Sequence, residues 1–276
     1  MAYLILIGLG LCLGSFVNAL VWRLHEQSSK KSKTKVDLSI LKGRSVCVHC
    51  HNKLSANDLI PVVSWLSLGG KCRYCHKKIS WQYPAIELLT AVLFVVAQFY
   101  WPSTNLRYPV IEFVLFGIFL LGVVIGLALS VYDFKWRLLP NKLLVPLGCL
   151  GAVYTVMTVL MSGNVPSAVL DAALAVVLSG GLFWVLYQIS GGKWIGGGDV
   201  KLGFVLGLFL LTPINSFLMI FLASVLGSLY ALFLQITGKY KKQMHIPFGP
   251  FLLTAVYILV LFGDSLLSGY QRLIGL

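Results

Sequence analysis

Asp133, in Val131-Tyr132-Asp133-Phe134, and Asp199, in Gly196-Gly197-Gly198-Asp199-Val200-Lys201, each stand at the edge of a long apolar run. A carboxylate there is costly unless it has a task, and only nine acidic residues occur among 276. Two carboxylates that share one site cannot both ionise easily, so one keeps a proton. The ionised member can then take a proton from water while the protonated member polarises a carbonyl, which is acid/base hydrolysis of a peptide bond. Gly196, Gly197 and Gly198 carry no side chains, which admits a substrate backbone or simply breaks a helix. Lys201, two residues beyond Asp199, could offset its charge or anchor a helix at a membrane interface.

A second constellation is Cys47-Val48-His49-Cys50 and Cys72-Arg73-Tyr74-Cys75, two C-x-x-C knuckles separated by 21 residues. This spacing suits a structural zinc site in which four thiolates close a tetrahedron. A reducing cytoplasm would keep the thiols free for metal; unrelated cysteines, or a redox pair on the opposite side of a membrane, are the other readings. His49, His51 and His76 flank the knuckles, but the four-cysteine set needs none of them. The region from Arg23 to Tyr83 is the only sizeable hydrophilic stretch, and it has little apolar content with which to fold unless metal supplies the energy. Its first part, Ser28 to Lys35, reads as a basic low-complexity tether. Cys12 and Cys149 lie within apolar runs and read as inert packing residues.

The elements that must position these groups are membrane helices. Hydrophobic residues make up 58% and charged residues 11% of the chain, outside the range of soluble domains. About 20 apolar residues span a bilayer, and eight stretches qualify: roughly 2–22, 84–101, 109–132, 143–161, 168–189, 200–212, 214–236 and 250–268. The sixth is short and is divided from the seventh by a turn at Thr212-Pro213-Ile214-Asn215, so seven spans with a re-entrant sixth is the alternative count. The first lacks a basic region ahead of it and reads as a retained anchor, not a cleaved signal. Positive loops stay cytoplasmic. Alternating from the basic 23–83 connection puts 20 of the 22 basic residues on one side, leaving Arg107 and Arg272 opposite. Both termini then lie outside, and Asp133 and Asp199 face the cytoplasm together. The expected fold is an all-α polytopic membrane protein of about eight helices, with a small cytoplasmic zinc-binding domain between the first two. The expected domains are a first helix at 1–22, the zinc loop at 23–83 and a membrane protease domain at 84–276. Loop bias accounts for the net charge of +13 without nucleic-acid binding. Membrane lipid is the partner the composition implies. Glu112, Asp171 and Asp264 fall near outer helix ends, and Trp22, Trp81, Trp101, Trp136 and Trp194 at interfaces.

Taken together these residues resemble the type IV prepilin peptidases (leader peptidase/N-methyltransferases), which are GxGD-type membrane aspartyl proteases. Gly14-Ser15-Phe16-Val17-Asn18 with Arg23 is similar to the family's N-terminal signature. Pro61, Ser64-Trp65-Leu66, Gly70 through Cys75, Ile79-Ser80, Tyr83-Pro84 and Glu87 resemble its cytoplasmic domain. Asp133 with Leu139-Pro140-Asn141, and Gly196 through Leu202, resemble the two halves of its catalytic site; Pro247-Phe248-Gly249-Pro250 resembles its last cytoplasmic motif. Two departures are Val48, where the family often has proline, and Asn141, where it usually has aspartate.

The resemblance implies that Asp133 and Asp199 are catalytic and that the chain sits in a bacterial inner membrane with its active site facing the cytoplasm. It implies cleavage of prepilin or pseudopilin precursors that carry a short basic leader ending in glycine. The new N-terminus, phenylalanine with glutamate at the fifth position, would be methylated from S-adenosylmethionine. No glycine-rich methyltransferase pattern is visible, so the methyl-donor site is assigned only to the N-terminal segment and zinc domain, with Glu87 and Arg73 as candidates. Asp58, Glu87 or the aspartate pair are the acidic groups left to meet a basic leader. A proton-coupled carrier would also use membrane carboxylates, but nearer the midplane and with related halves, and no internal repeat is visible. A zinc-bearing scaffold would leave the two aspartates unexplained. The oligomeric state is not legible in the sequence.

Overall fold

The computed structural model describes residues 1–28, 39, 43–101, 109–240 and 245–273. The basic tether expected from Ser28 onward (residues 29–35), Arg107, Lys241 and Lys242 lie outside the described residues. Among the described residues the regular structure is helical, with two isolated antiparallel bridges and no longer strand. The chain forms two compact units, residues 1–99 and residues 100–276.

The N-terminal unit holds α1 (Ala2–Ser28), a 3-10 turn at Ala56–Leu59, the short α2 (Val63–Ser67) and most of α3 (Gln82–Tyr100). One face of α1 presents Gly10, Gly14 and Asn18 at four-residue spacing, and α3 lies against it almost backbone to backbone. A Cβ on Gly10 would stand 2.6 Å from the Cα of Ala91, and one on Gly14 would stand 2.7 Å from the Cα of Glu87. Small residues at this spacing are how apolar helices approach closely in lipid. Asn18, buried a turn later, accepts from the Gln82 side chain at 3.1 Å and donates to the Tyr83 carbonyl at 3.2 Å. The buried Arg23 donates to the carbonyls of Ser39 at 3.0 Å and Gly43 at 2.9 Å. The end of α1 is thereby tied to Ser39 and to Gly43, just ahead of the first cysteine knuckle.

The second unit contains α4 (Pro109–Trp136), α5 (Asn141–Met161), α6 (Val165–Ser190), α7 (Gly197–Leu210), α8 (Pro213–Ile236) and α9 (Gly249–Leu273). Among the described residues seven helices are long and apolar enough to cross a membrane: α1, α3, α4, α5, α6, α8 and α9. The eighth, α7, has 14 residues, which at 1.5 Å each is about 21 Å, short of the ~30 Å hydrocarbon core. This is the short sixth stretch of the sequence, and it begins earlier than 200, at the glycines themselves.

Its shortness is compensated by burial. α7 packs most extensively on α6, then on α5 and α9, and Gly203 and Gly207 bring it hard against α6. A Cβ on Gly203 would lie 2.7 Å from the Ser179 carbonyl oxygen, and one on Gly207 would lie 2.6 Å from the Cα of Val176. The chain leaves α7 through Leu211 in the left-handed region, and Thr212 caps α8 by accepting the Asn215 N–H, with Pro213 in the first turn. The expected turn is therefore present, one residue earlier than read. Cys12 and Cys149 are exposed on α1 and α5, not packed: an apolar run does not reveal which of its faces meets protein.

Candidate active site and metal centre

Asp133 lies in the last turn of α4 and is buried, 5% exposed. α4 stops just beyond it, where Arg137 turns into the left-handed region and donates its N–H to the Asp133 carbonyl at 2.8 Å. The carboxylate meets the start of α9, where the Gly249 N–H is directed at it. A Cβ at 249 would stand 2.8 Å from Asp133 Oδ2, so any larger residue there would make the carboxylate shift. Oδ2 is itself buried and accepts no hydrogen bond from the protein. Such an oxygen is expensive unless it carries a proton or meets a reactant.

Asp199 is the third residue of α7 and half-buried. Its carboxylate faces the backbone of Gly196, the residue that caps the helix. Burial first, and then the charge of Asp133, push Asp199 up to about 6, against the pull of the Gly196 N–H. The two aspartates, 66 residues apart in sequence, share a neighbour in Leu139, which lies near both Gly198 and the Gly249 that faces Asp133. The glycine turn before Asp199 folds over Tyr187: a Cβ on Gly192 would lie 3.0 Å from that ring, and one on Gly197 3.7 Å.

Lys201 does not reach Asp199. Its Nζ donates to Asn141 Oδ1 at 3.2 Å, so of the two readings charge compensation is not seen, and the side chain links to the first residue of α5. Leu139, Asn141 and Gly249 were visible only as parts of motifs, because their role is contact across elements and sequence spacing does not encode that. Of the interfacial tryptophans, Trp81 and Trp194 are strongly exposed, at 71% and 70%. Trp101 instead packs on Phe116 and Phe119, with ring centres 5.0 and 5.3 Å away.

In the N-terminal unit the four cysteines converge, all Sγ atoms lying within 4.8 Å of one another and the Cys47–Cys75 pair at 3.9 Å. A tetrahedron with 2.3 Å metal–sulfur arms has edges of about 3.8 Å, so the cluster fits a metal. The two knuckles are copies of one turn, offset by 25 residues. His51 and His76 both adopt positive φ and donate to the carbonyls of Cys47 and Cys72, each at 2.9 Å, and the bridges Val46–Lys53 and Lys71–Lys78 close them. Neither histidine belongs to the ligand cluster. Burial pushes Cys47 up to about 12, despite N–H groups from Cys50 and His49. Burial opposes Cys72 as well, but the N–H groups of Cys75 and Tyr74 and the neighbouring thiols bring it down to about 7.

Glu87 and Arg73, the candidates for the methyl donor, have other partners. Glu87 is buried in α3, with Oε2 accepting the Val62 N–H at 2.7 Å. Arg73 donates Nε to Asp58 Oδ1 at 2.7 Å, and Asp58 also accepts from Ser55 and Tyr74. Asp58 and Glu87 therefore present no uncommitted carboxylate to a basic leader.

Residues 8–101 match the bacterial peptidase A24 N-terminal domain, and residues 120–232 match the type IV leader peptidase family. A prepilin leader peptidase/N-methyltransferase of Aeromonas salmonicida is 32% identical over 94% of this chain and 90% of its own. Those of Bacillus subtilis and Vibrio cholerae are each 32% identical over 96% of this chain, and over 96% and 98% of their own. The chain belongs to this family. It is accordingly a multi-pass membrane enzyme, a peptidase with methyltransferase activity. No solved structure matches the chain. The family boundary near residue 101 coincides with the division between the two compact units.

Proposed function

We propose that this prepilin peptidase hydrolyses the leader from prepilin or pseudopilin precursors through Asp133 and Asp199 acting as a dyad. The observation that carries the reading is the buried, unpartnered Oδ2 of Asp133 beside a second carboxylate whose ionisation Asp133 opposes. One carboxylate takes a proton from water as it attacks the scissile carbonyl; the other donates to the carbonyl oxygen, and the resulting diol collapses as the amine leaves. The glycines at 196–198 leave a backbone-lined approach to Asp199. The loop bias of Lys and Arg supports an active site facing the cytoplasm in a bacterial inner membrane, where a basic leader would meet the carboxylate pair.

We further propose that residues 84–276 act as the protease part, 1–22 as an anchor and 23–83 as the cytoplasmic metal-binding loop. Zinc is the metal that four thiolates at this spacing suit, held by Cys47, Cys50, Cys72 and Cys75 in a closed structural role. S-adenosylmethionine is the proposed methyl donor, and its site is assigned to the N-terminal unit, where Glu87 and Arg73 lie. The test is incubation of purified enzyme with a precursor bearing a basic leader, followed by mass spectrometry of the mature N-terminus. Release of the leader, and an added methyl group only when S-adenosylmethionine is supplied, are expected; intact precursor overturns the assignment.

A further inference from the structure

We infer that Leu139-Pro140-Asn141 is a positioning clamp that holds the first turn of α7, and Asp199 with it, at a fixed place relative to Asp133. The inference rests on the dyad reading and concerns how the two carboxylates are kept in register. The segment follows Asp133 by only six residues and is itself stiff. α4 is closed by the Arg137 N–H on the Asp133 carbonyl. Pro140, with its φ fixed by the ring, caps α5 and accepts the N–H groups of Leu143 at 2.9 Å and Leu144 at 3.2 Å.

From this rigid turn two side chains reach α7 on either side of Asp199. Leu139 lies against Gly198, the residue before the carboxylate: a Cβ at 198 would sit 3.2 Å from Leu139 Cβ and 3.3 Å from Cδ1. Asn141 accepts from Lys201, two residues after it, at 3.2 Å. The other methyl of Leu139, Cδ2, lies 3.5 Å from where a Gly249 Cβ would stand, the same point that is 2.8 Å from Asp133 Oδ2. One side chain therefore touches the backbone supports of both carboxylates. The Asn141–Lys201 bond is exposed and adds little to folding, so its effect is on placement. Misplacing a reacting group by an ångström is enough to slow chemistry greatly without weakening binding.

The test is steady-state cleavage of a precursor by purified Asn141→Ala, Lys201→Ala, the double variant, Lys201→Arg, Leu139→Ala and Leu139→Met, with thermal unfolding in detergent alongside. The two single polar variants should each lose roughly ten-fold in kcat with KM within about two-fold. The double variant should lose no more than the worse single, because both remove one bond. Lys201→Arg, still a donor to Asn141, should recover most of the rate. Leu139→Ala should lose roughly a hundred-fold in kcat while Leu139→Met stays near wild type. Unfolding midpoints of the Asn141 and Lys201 variants should not move. Wild-type kcat in both polar singles, additive losses, or a change in KM alone overturns the clamp. Asp199→Asn separates the two claims: if it cleaves, the dyad reading falls; if it is inactive while the polar singles are normal, only the clamp falls.

Discussion

Cys47 and Cys72 occupy the same position in two copies of one turn, yet their thiols sit at opposite ends of the range. Burial raises Cys47, whereas the N–H groups of Cys75 and Tyr74 and the neighbouring thiols lower Cys72. Four thiolates in one cluster repel each other, so the full set is stable only around a cation, and binding must release protons. Purified, reduced protein is expected to contain about one equivalent of zinc, checked by elemental analysis. Cys72→Ala should lose it and raise hydrogen exchange across residues 43–80 while leaving α4–α9 protected. Two disulfides in reduced protein, or no metal, would contradict the assignment. The cysteines were legible from sequence because both ligand pairs are local. The Asp133 environment was not: its closest support, Gly249, lies 116 residues away in sequence and contributes only a backbone N–H and the absence of a Cβ.

At the scale of elements, glycine does two jobs that a sequence does not distinguish. Gly196 to Gly198 read as admitting a substrate backbone or as breaking a helix; they form the cap and first turn of α7, because packing overrides a propensity difference of about 1 kcal/mol per glycine. Gly203 and Gly207 continue that helix so that α6 can press on it. The seven long spans were legible because hydropathy measures length directly. The burial of short α7, and the outward faces that carry Cys12 and Cys149, were not, since packed and lipid-facing residues are equally apolar. Close packing makes definite demands. Gly14→Leu would drive a side chain into the α3 backbone beside Glu87, and Gly203→Leu would do the same to α6. Each is expected to lower stability by at least the 1–3 kcal/mol typical of overpacking, read as a fall in the detergent unfolding midpoint. Gly8→Leu, where a Cβ meets nothing within 4 Å, should leave the midpoint unchanged.

For the whole molecule, the division at residue 99 suggests a division of labour. The carboxylate pair lies wholly in the second unit, and the four-cysteine cluster and Glu87 in the first. Methylation of an amine needs the amine deprotonated and aligned with the methyl donor, a positioning task that does not call for water activation. Asp133→Asn and Asp199→Asn variants are therefore expected to methylate a pilin supplied already cleaved, whereas Glu87→Gln should cleave precursor and leave its amine unmethylated. Loss of methylation on pre-cleaved pilin in the aspartate variants would favour one shared site. The central claim, that Asp133 and Asp199 act as one unit on one peptide bond, is tested most directly by single-turnover cleavage with Asp133→Asn, Asp199→Asn and the double variant in reconstituted membranes. Residues that act together are non-additive, so each single variant should be inactive and the double no worse, with insertion unaffected. Cleavage by either single variant at a rate near wild type would contradict the account.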